Sequence, residues 1–354
     1  MQKSKWIMLT VVMLICLSLL NVQSPMSFAQ TNELVTYKIY DEFGSLLFEE
    51  EDVTIGDEYL NKNFHKYEVV SINHKLKIGR AKFVGVVEKP KVDISYTPKQ
   101  ISVNDPKICL YMSHNDESYV PTDGTESVYG AGGIHDVAKA LRNSFEKYGV
   151  TTYIDETLHI PHDTKAYARS SVTVNNLINK YSPNALFDIH RDGSSRSSYV
   201  TKVNGNEKCK VRIVVGKASS NYKDAEKLAL YLLAVGEELY DWLFLDIYYA
   251  TGHYNQGIAP KMLLFEMGCH MVEKELVMQS VDPLAHVVST ALFNTTVNKE
   301  TGDLTINGAV DDNNVVIDQS FDGTNDGSFV LSIILAGFVV FGVIKLIGLV
   351  KHSK

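Results

Sequence analysis

From residue 107 to residue 293 the chain alternates short apolar runs with longer segments of helical periodicity. The apolar runs include Ile108–Met112, Val211–Val215 and Met262–Phe265, and the segments between them repeat apolar residues every three or four positions. This alternation is typical of an α/β domain, because parallel strands are joined by crossover helices. We therefore predict an α/β fold with a mostly parallel sheet and flanking helices over residues 105–295.

The last predicted helix of this region lies between Val272 and Phe293. It contains Pro283, and a proline inside a helix removes a backbone donor and clashes with the preceding turn. We therefore predict that this helix is interrupted at Pro283.

A second pattern, in which polar and apolar residues alternate in short runs, fills residues 34–96. Turn residues such as Gly44 separate the runs. A period of two with intervening turns predicts antiparallel strands. We predict a small β module over residues 30–98, which holds no cluster of His, Cys or carboxylate residues that suggests a chemical role.

The N-terminal segment predicts export. Residues 1–29 contain Lys3 and Lys5, then an apolar run, then the small residues Ser27 and Ala29 at the positions that a signal peptidase reads. An uncleaved anchor is the alternative, although the apolar run is short for a bilayer span. We predict a signal peptide over residues 1–29.

A long apolar segment near the other end predicts a membrane anchor. Residues 329–350 are almost entirely apolar and long enough to span a bilayer, with aspartates before them and lysines after them. Residues 296–328 are rich in Asp, Asn and Gly, and we predict a flexible acidic stalk there. We expect an exported protein in the cell membrane, with a single C-terminal span and its body outside.

The charge balance excludes one class of partner. The chain has 42 acidic and 34 basic side chains, for a net charge of -8. Proteins that bind nucleic acid neutralise phosphates with clustered Lys and Arg, and this sequence contains no basic block. We therefore expect no nucleic-acid partner.

Ionisable residues follow three of the predicted strands. His114 and Glu117 come after Ile108–Met112, His190 comes after Ala185–Ile189, and Glu266 comes after Met262–Phe265. Ligands of an open α/β sheet bind beyond the carboxyl ends of its strands, so these side chains can converge. Two imidazoles and a carboxylate are a common ligand set of catalytic Zn²⁺, and a further carboxylate can take a proton from water. A single histidine of this kind is more often structural, so the prediction depends on the coincidence of all four residues.

Four segments of the chain carry a family resemblance. They are His114–Tyr119, Asp188–Gly193, Tyr254–Gln256 and Leu263–Gly268. They resemble segments of the stage II sporulation protein P family, within the wider zinc N-acetylmuramoyl-L-alanine amidases, and the resemblance covers about residues 107–293. It implies a cell-wall hydrolase that cleaves the amide between the muramoyl lactyl group and L-alanine. It also implies that His114 and His190 are zinc ligands and that Glu266 is the catalytic glutamate.

The resemblance leaves the carboxylate ligand open. Glu117 fits the His-x-x-Glu spacing of the sporulation-type members, and we expect it to be the ligand. Glu126 and His135 are the alternatives, because the wider amidases place a glutamate where a helix opens after the first ligand loop. One departure from the family pattern is Met112, which stands where members often have a second histidine.

Other polar residues are candidates for binding the substrate. His162 and Arg169 lie on a loop and on the helix that follows it, where Arg is well shaped to grip carboxylates. The alternative is that Asp163 caps this helix and that both side chains lie on a solvated face. Arg191 adjoins a proposed ligand, and Asn255 offers an amide for hydrogen bonds to the substrate.

The resemblance favours a membrane-anchored amidase that uses Zn²⁺ and acts on peptidoglycan outside the cell. A lytic transglycosylase or another wall-remodelling protein is a candidate partner. Two alternative functions stay open. One is a domain without catalysis that binds wall polymer or a partner protein, and the other is a zinc peptidase that cleaves peptide cross-links.

Overall fold

The computed structural model of the chain describes residues 36–92, 105–163, 165–293, 295–297 and 304–306. The predicted signal peptide at 1–29 and the predicted membrane span at 329–350 lie outside the described residues.

The described residues form fifteen strands and six helices. The strands are β1 (Tyr37–Tyr40), β2 (Leu46–Glu50), β3 (Glu58–Leu60), β4 (His65–Asn73), β5 (Ile78–Val86), β6 (Lys107–Tyr111), β7 (Thr151–Ile154), β8 (Ala185–Asp192), β9 (Val200–Val203), β10 (Asn206–Cys209), β11 (Val211–Gly216), β12 (Phe244–Ala250), β13 (Met262–Cys269), β14 (Thr295–Val297) and β15 (Leu304–Ile306). The helices are α1 (Val120–Asp123), α2 (Ile134–Lys147), α3 (Ala166–Tyr181), α4 (Arg196–Tyr199), α5 (Tyr222–Leu239) and α6 (Lys274–Phe293).

One sheet of eleven strands organises the fold, in the order β2-β1-β5-β4-β3-β12-β11-β13-β8-β6-β7. In the predicted α/β region the neighbours are parallel, except that β11 runs antiparallel to β13. This confirms a mixed α/β fold whose sheet is mostly parallel in that region.

The N-terminal strands belong to the same sheet. Strand β3 pairs with β12 in antiparallel register, through Tyr59 opposite Tyr248 and Leu60 opposite Ile247. The residues that the sequence analysis assigns to a small β module therefore extend the sheet of the α/β region. The domain boundary itself stays a prediction.

The two faces of the sheet are covered by different elements, because successive side chains of a strand point to opposite sides. On the first face, α2, α5 and α6 pack against strand residues such as Ile189 and Phe265. On the second face, α3 packs against Leu186, while residues of the N-terminal strands pack against Val214 and Leu264. One part of the second face is therefore covered by α3, and another part is covered by the N-terminal strands.

Helix α6 runs unbroken through Pro283, so the predicted interruption is wrong. Leu284, Val287 and Val288 are buried on the first face of the sheet. Burial of this apolar surface compensates for the backbone hydrogen bond that a proline cannot make. Within the described ranges α6 is also the one helix long and apolar enough to cross a membrane, but 67% of its most apolar window is buried, as in a core helix.

Part of the predicted stalk is structured. Strands β14 and β15 pair as an antiparallel hairpin directly after α6. Residues 296–297 and 304–306 of the predicted flexible stalk lie in these strands. Most of 296–328 lies outside the described residues, and the stalk stays a prediction.

Candidate functional site

The predicted site residues converge on the second face of the sheet. His114 and Glu117 lie in the turn after β6, whereas His190 and Glu266 lie within β8 and β13, directly opposite each other. Strands β6, β8 and β13 are parallel neighbours, so their carboxyl ends meet at one edge. Strands β8 and β13 both continue past their predicted ends at Ile189 and Phe265, to Asp192 and Cys269.

Two imidazoles and one carboxylate form a compact cluster. Glu117 Oε1 lies 3.2 Å from His114 Nδ1 and 3.1 Å from His190 Nδ1. Within the described part of the chain this is the one group of three or more His, Cys, Asp or Glu residues whose ligand atoms all lie within 4.8 Å of one another. Tetrahedral zinc with Zn–N distances of about 2.0–2.1 Å separates its ligand atoms by roughly 3.3 Å. The donor set and its spacing therefore fit Zn²⁺.

Contacts to Nε2, the ring nitrogen that points away from Glu117, fix the orientation of His190. Its Nε2 lies 3.0 Å from Asp188 Oδ1 and 2.8 Å from Ser113 Oγ, and the Ser113 hydroxyl donates to Asp188 Oδ2 at 2.7 Å. A carboxylate on one imidazole nitrogen commonly orients the other nitrogen toward a metal. Here it directs Nδ1 toward Glu117.

The ionisation of the cluster follows from these contacts. Burial opposes the charge of Glu117, but His190, His114 and Arg191 outweigh it and hold the pKa of this carboxyl well below its ordinary value. Burial also opposes the charge of His190, yet Asp188 and Glu117 raise its pKa well above the ordinary value. The charges of Glu117 and His190 therefore stabilise each other.

Glu266 has the opposite electrostatic environment. Burial raises the pKa of its carboxyl well above the ordinary value, and the nearby Asp192 carboxylate adds to the rise. Its Oε2 is buried and has no hydrogen-bond partner among the described residues. A buried carboxylate with a raised pKa and an unused oxygen is suited to accept a proton.

Of the three candidates for the carboxylate or third ligand, only Glu117 lies in the cluster. The carbonyl oxygen of Glu126 accepts a hydrogen bond from Arg191 Nη2 at 3.0 Å. His135 Nδ1 instead lies 3.1 Å from Glu156 Oε1. Met112 is fully buried in the core. The assignment of Glu117 as a ligand stays a proposal, which this placement supports.

The loop that carries Glu117 is packed tightly against the backbone near α2. The Arg191 backbone N–H donates to Glu117 Oε2 at 2.8 Å. A Cβ added to Gly132 would lie 2.0 Å from the carbonyl oxygen of Glu117 and 2.5 Å from that of Asp116. A side chain at position 132 therefore cannot fit unless the loop moves.

Replacement of Gly132 by alanine is expected to displace Glu117. We expect Gly132→Ala to lower the free energy of unfolding by about 1–3 kcal/mol, as overpacking does, and to weaken zinc binding. Denaturant unfolding and zinc titration measure the two effects.

Gly130→Ala is the matched control, because Gly130 has a φ of +91° and a Cβ there meets nothing described within 4 Å. This control is expected to lose about 1 kcal/mol from the left-handed backbone and to keep its zinc affinity. Equal zinc affinities in the two variants would contradict this account of the Glu117 loop.

Aromatic rings from α3 and from the loop before it lie beside the cluster. The His162 ring stacks on His114 with centroids 3.8 Å apart, and His162 Nδ1 lies 2.8 Å from Asp116 Oδ1. Tyr167 of α3, which the sequence analysis missed, lies 5.3 Å from the His114 ring and 5.3 Å from the Tyr254 ring. His162 is thus next to the site, and its role in binding substrate stays a prediction.

The other three substrate-binding candidates make internal hydrogen bonds. Arg169 donates to the His159 carbonyl at 2.7 Å and to Asp163 at 2.6 Å. Arg191 Nε donates to the Ser118 carbonyl at 3.3 Å, and Asn255 donates to Ser170 Oγ at 2.9 Å. Contacts of these side chains to substrate stay predictions.

A comparison with known families decides where the chain belongs. The family model described as Stage II sporulation protein P matches residues 36–289. The chain belongs to the stage II sporulation protein P family. The match begins at residue 36, so the family segment includes the N-terminal strands as well as the α/β region.

The curated stage II sporulation protein P of Bacillus subtilis (strain 168) is 26% identical to this chain over 189 residues. The aligned part is 48% of this chain and 47% of the relative. The chain therefore spans about half the length of this curated relative.

Two solved structures resemble part of this family member. The N-acetylmuramoyl-L-alanine amidase from Clostridium difficile 630 is 13% identical, with a TM-score of 0.34 over 52% of this chain and 93% of that one. The catalytic domain of the CD27L endolysin, described as targeting Clostridia difficile, is 14% identical, with a TM-score of 0.30 over 52% of this chain and 95% of that one. These scores are too low for a role to be transferred from either protein.

Proposed function

We propose that this member of the family is a peptidoglycan hydrolase that cleaves the amide between the N-acetylmuramoyl lactyl group and L-alanine, with Zn²⁺ held by His114, Glu117 and His190. The observation that supports this proposal is the convergence of the three ligand atoms beside Glu266, whose Oε2 is buried and has no described hydrogen-bond partner. Zn²⁺, when bound, supplies a Lewis acid that polarises a carbonyl and lowers the pKa of water.

The protein residues have separate tasks in this reaction. Glu266 accepts the proton of the attacking water at its free oxygen and then delivers it to the nitrogen of the leaving L-alanine. Asp188 and Ser113 hold His190 in its orientation, and the Arg191 backbone N–H holds Glu117. The amide and one water thereby become a lactyl carboxylate and a free amine.

We propose that the protein is exported and that the 329–350 span anchors it to the cell membrane, with the site outside. Peptidoglycan lies on that side of the membrane, so this placement suits the substrate. A wall-remodelling protein such as a lytic transglycosylase is the proposed partner.

The proposal predicts one zinc per chain and release of stem peptides from purified sacculi. Elemental analysis of the full chain measures the zinc, and mass spectrometry identifies products that begin with a free L-alanine amine. We expect a chelator to abolish release and added Zn²⁺ to restore it, because three neutral or anionic protein ligands hold the ion reversibly.

Two other results would contradict the proposal in different ways. A zinc-loaded chain that binds sacculi but releases nothing would indicate a binding domain without catalysis. Products cut only within peptide cross-links would indicate a peptidase, and their masses would show it.

A further inference from the structure

A carboxylate from the N-terminal strands reaches the interior of the α/β region. Glu50 is the last residue of β2, at one edge of the sheet. Its Oε2 contacts Nη1 of Arg212 on β11, 162 positions away along the chain. The Arg212 side chain is only 1% exposed, and it is the largest fully buried side chain among the described residues. Burial of a guanidinium costs free energy unless its N–H groups are hydrogen-bonded, so this contact stabilises the folded state.

Three carboxylates surround the Arg212 guanidinium. Nε and Nη2 donate to the two oxygens of Asp246 at 2.7 and 3.0 Å, in a bidentate pair. Nη1 donates to Asp192 Oδ2 at 2.9 Å and also to Glu50. Tyr199 further fixes Asp192 by donating to the same Oδ2 at 2.5 Å. The group is therefore held in one orientation from three directions.

This network lies directly beside the proposed proton acceptor. Glu266 on β13 is opposite His190 on β8 and opposite Arg212 on β11. Residues that are directly opposite on paired strands have side chains on the same face of the sheet. Glu266 therefore stands between the metal cluster and Arg212. Its Oε2 nonetheless has no described hydrogen-bond partner, while the Arg212 donors go to Glu50, Asp192 and Asp246.

We infer that Glu50 is a positioning residue for the proposed reaction: it occupies Arg212 Nη1 and so keeps the guanidinium from pairing with Glu266. The inference rests on the proposed function, in which Glu266 accepts the proton of water. Without Glu50, one buried N–H of Arg212 loses its acceptor, and a buried donor without a partner is costly. The unused oxygen of Glu266 is the nearby acceptor that would replace it. An oxygen of Glu266 that accepted a hydrogen bond from Arg212 would no longer be free to accept one from water.

The N-terminal strands thus contribute a side chain to the site, beyond covering the second face of the sheet. The neighbouring contacts agree with this arrangement. Ser194, which follows β8, donates to the Glu49 carbonyl at 2.9 Å, and a Cβ on Gly193 would lie 2.1 Å from Glu51 Oε2. Strand β2 is therefore packed against the end of the strand that carries His190.

Glu50→Leu in the full chain tests the inference, because leucine has no acceptor for Arg212. With a soluble muramoyl peptide as substrate, we expect kcat to fall at least about tenfold, a modest part of what acid–base catalysis provides. KM and zinc content are expected to stay at wild-type values. Glu50→Gln keeps an oxygen at the same place and is expected to restore most of the lost kcat. A merely structural role would lower the folded fraction and leave kcat per folded molecule unchanged.

Glu49→Leu is the matched control, because the Glu49 side chain faces Lys38 at 3.6 Å instead of Arg212. It is expected to keep the wild-type kcat. If Glu50→Leu does not fold, Glu50→Asp, which retains a carboxyl group but withdraws it from Arg212 by one methylene, is expected to lower kcat in the same direction. A wild-type kcat in the folded Glu50 variant would overturn this inference and would leave the proposed function intact. An inactive wild-type chain would overturn the proposed function and the inference together.

Discussion

Glu266→Gln is expected to keep its zinc and to lose most of its turnover. Glutamine has nearly the shape of glutamate but cannot accept a proton, and general acid–base catalysis contributes about 10²–10⁴-fold to rate. We therefore expect kcat on a soluble muramoyl peptide to fall by about 10²-fold or more. Glu266 lies outside the cluster of His114, Glu117 and His190, so the zinc content should not change. Steady-state kinetics and elemental analysis of the same preparation measure both quantities.

A solvent-exposed glutamate on α2 provides the control for this substitution. Glu146 is exposed, and its nearest ionic partner is Arg142 at 3.9 Å. Glu146→Gln is expected to have wild-type kcat and zinc content. If Glu266→Gln turned over substrate at the wild-type rate, the assignment of the proton acceptor would be wrong.

His114→Ala is expected to lose both zinc and activity. Removal of one of three protein ligands leaves Glu117 and His190, which are too few for a tetrahedral site that keeps one position for water. Because a bound ion stabilises the folded state, chelator should lower the Tm of the wild type and leave the Tm of this variant unchanged. Elemental analysis and thermal unfolding with and without chelator measure these effects.

His162→Ala separates metal binding from ring packing. His162 stacks on His114 but lies outside the ligand cluster, and its side chain is 39% exposed. The His162→Ala variant is expected to keep its zinc, and chelator is expected to lower its Tm as it lowers that of the wild type. Retention of full zinc by His114→Ala, or equal loss of zinc in both variants, would contradict the ligand assignment.

Much of the site could be predicted from the sequence because it depends on one property of parallel sheets. His114, His190 and Glu266 each follow or end an apolar run, and parallel strands bring their carboxyl ends to one edge. Glu117 is only three residues from His114, so the same turn carries it. Beyond this, the prediction required only that the three strands be parallel neighbours in the sheet, as they are.

The environment of Glu266 could not be predicted, because it depends on contacts between distant strands. A pattern of alternating residues shows that β2 has two faces, but not that the strand lies over the α/β region and brings Glu50 to Arg212. Arg212 offered one signal, since a charged residue within the apolar run Val211–Val215 needs a buried partner. Pro283 shows the opposite case, in which a correct local rule is overridden by the packing of the whole helix.

The pairing of β3 with β12 determines which piece of the chain can stand alone. A fragment that began at residue 105 would expose the hydrogen-bonding edge of β12 and uncover Val214 and Leu264, which are buried under the first five strands. Open edges and bare apolar faces promote self-association. Such a fragment would also lack Glu50. A fragment that begins at residue 36 keeps the pairing of β3 with β12, the cover over Val214 and Leu264, and the contact of Glu50 with Arg212.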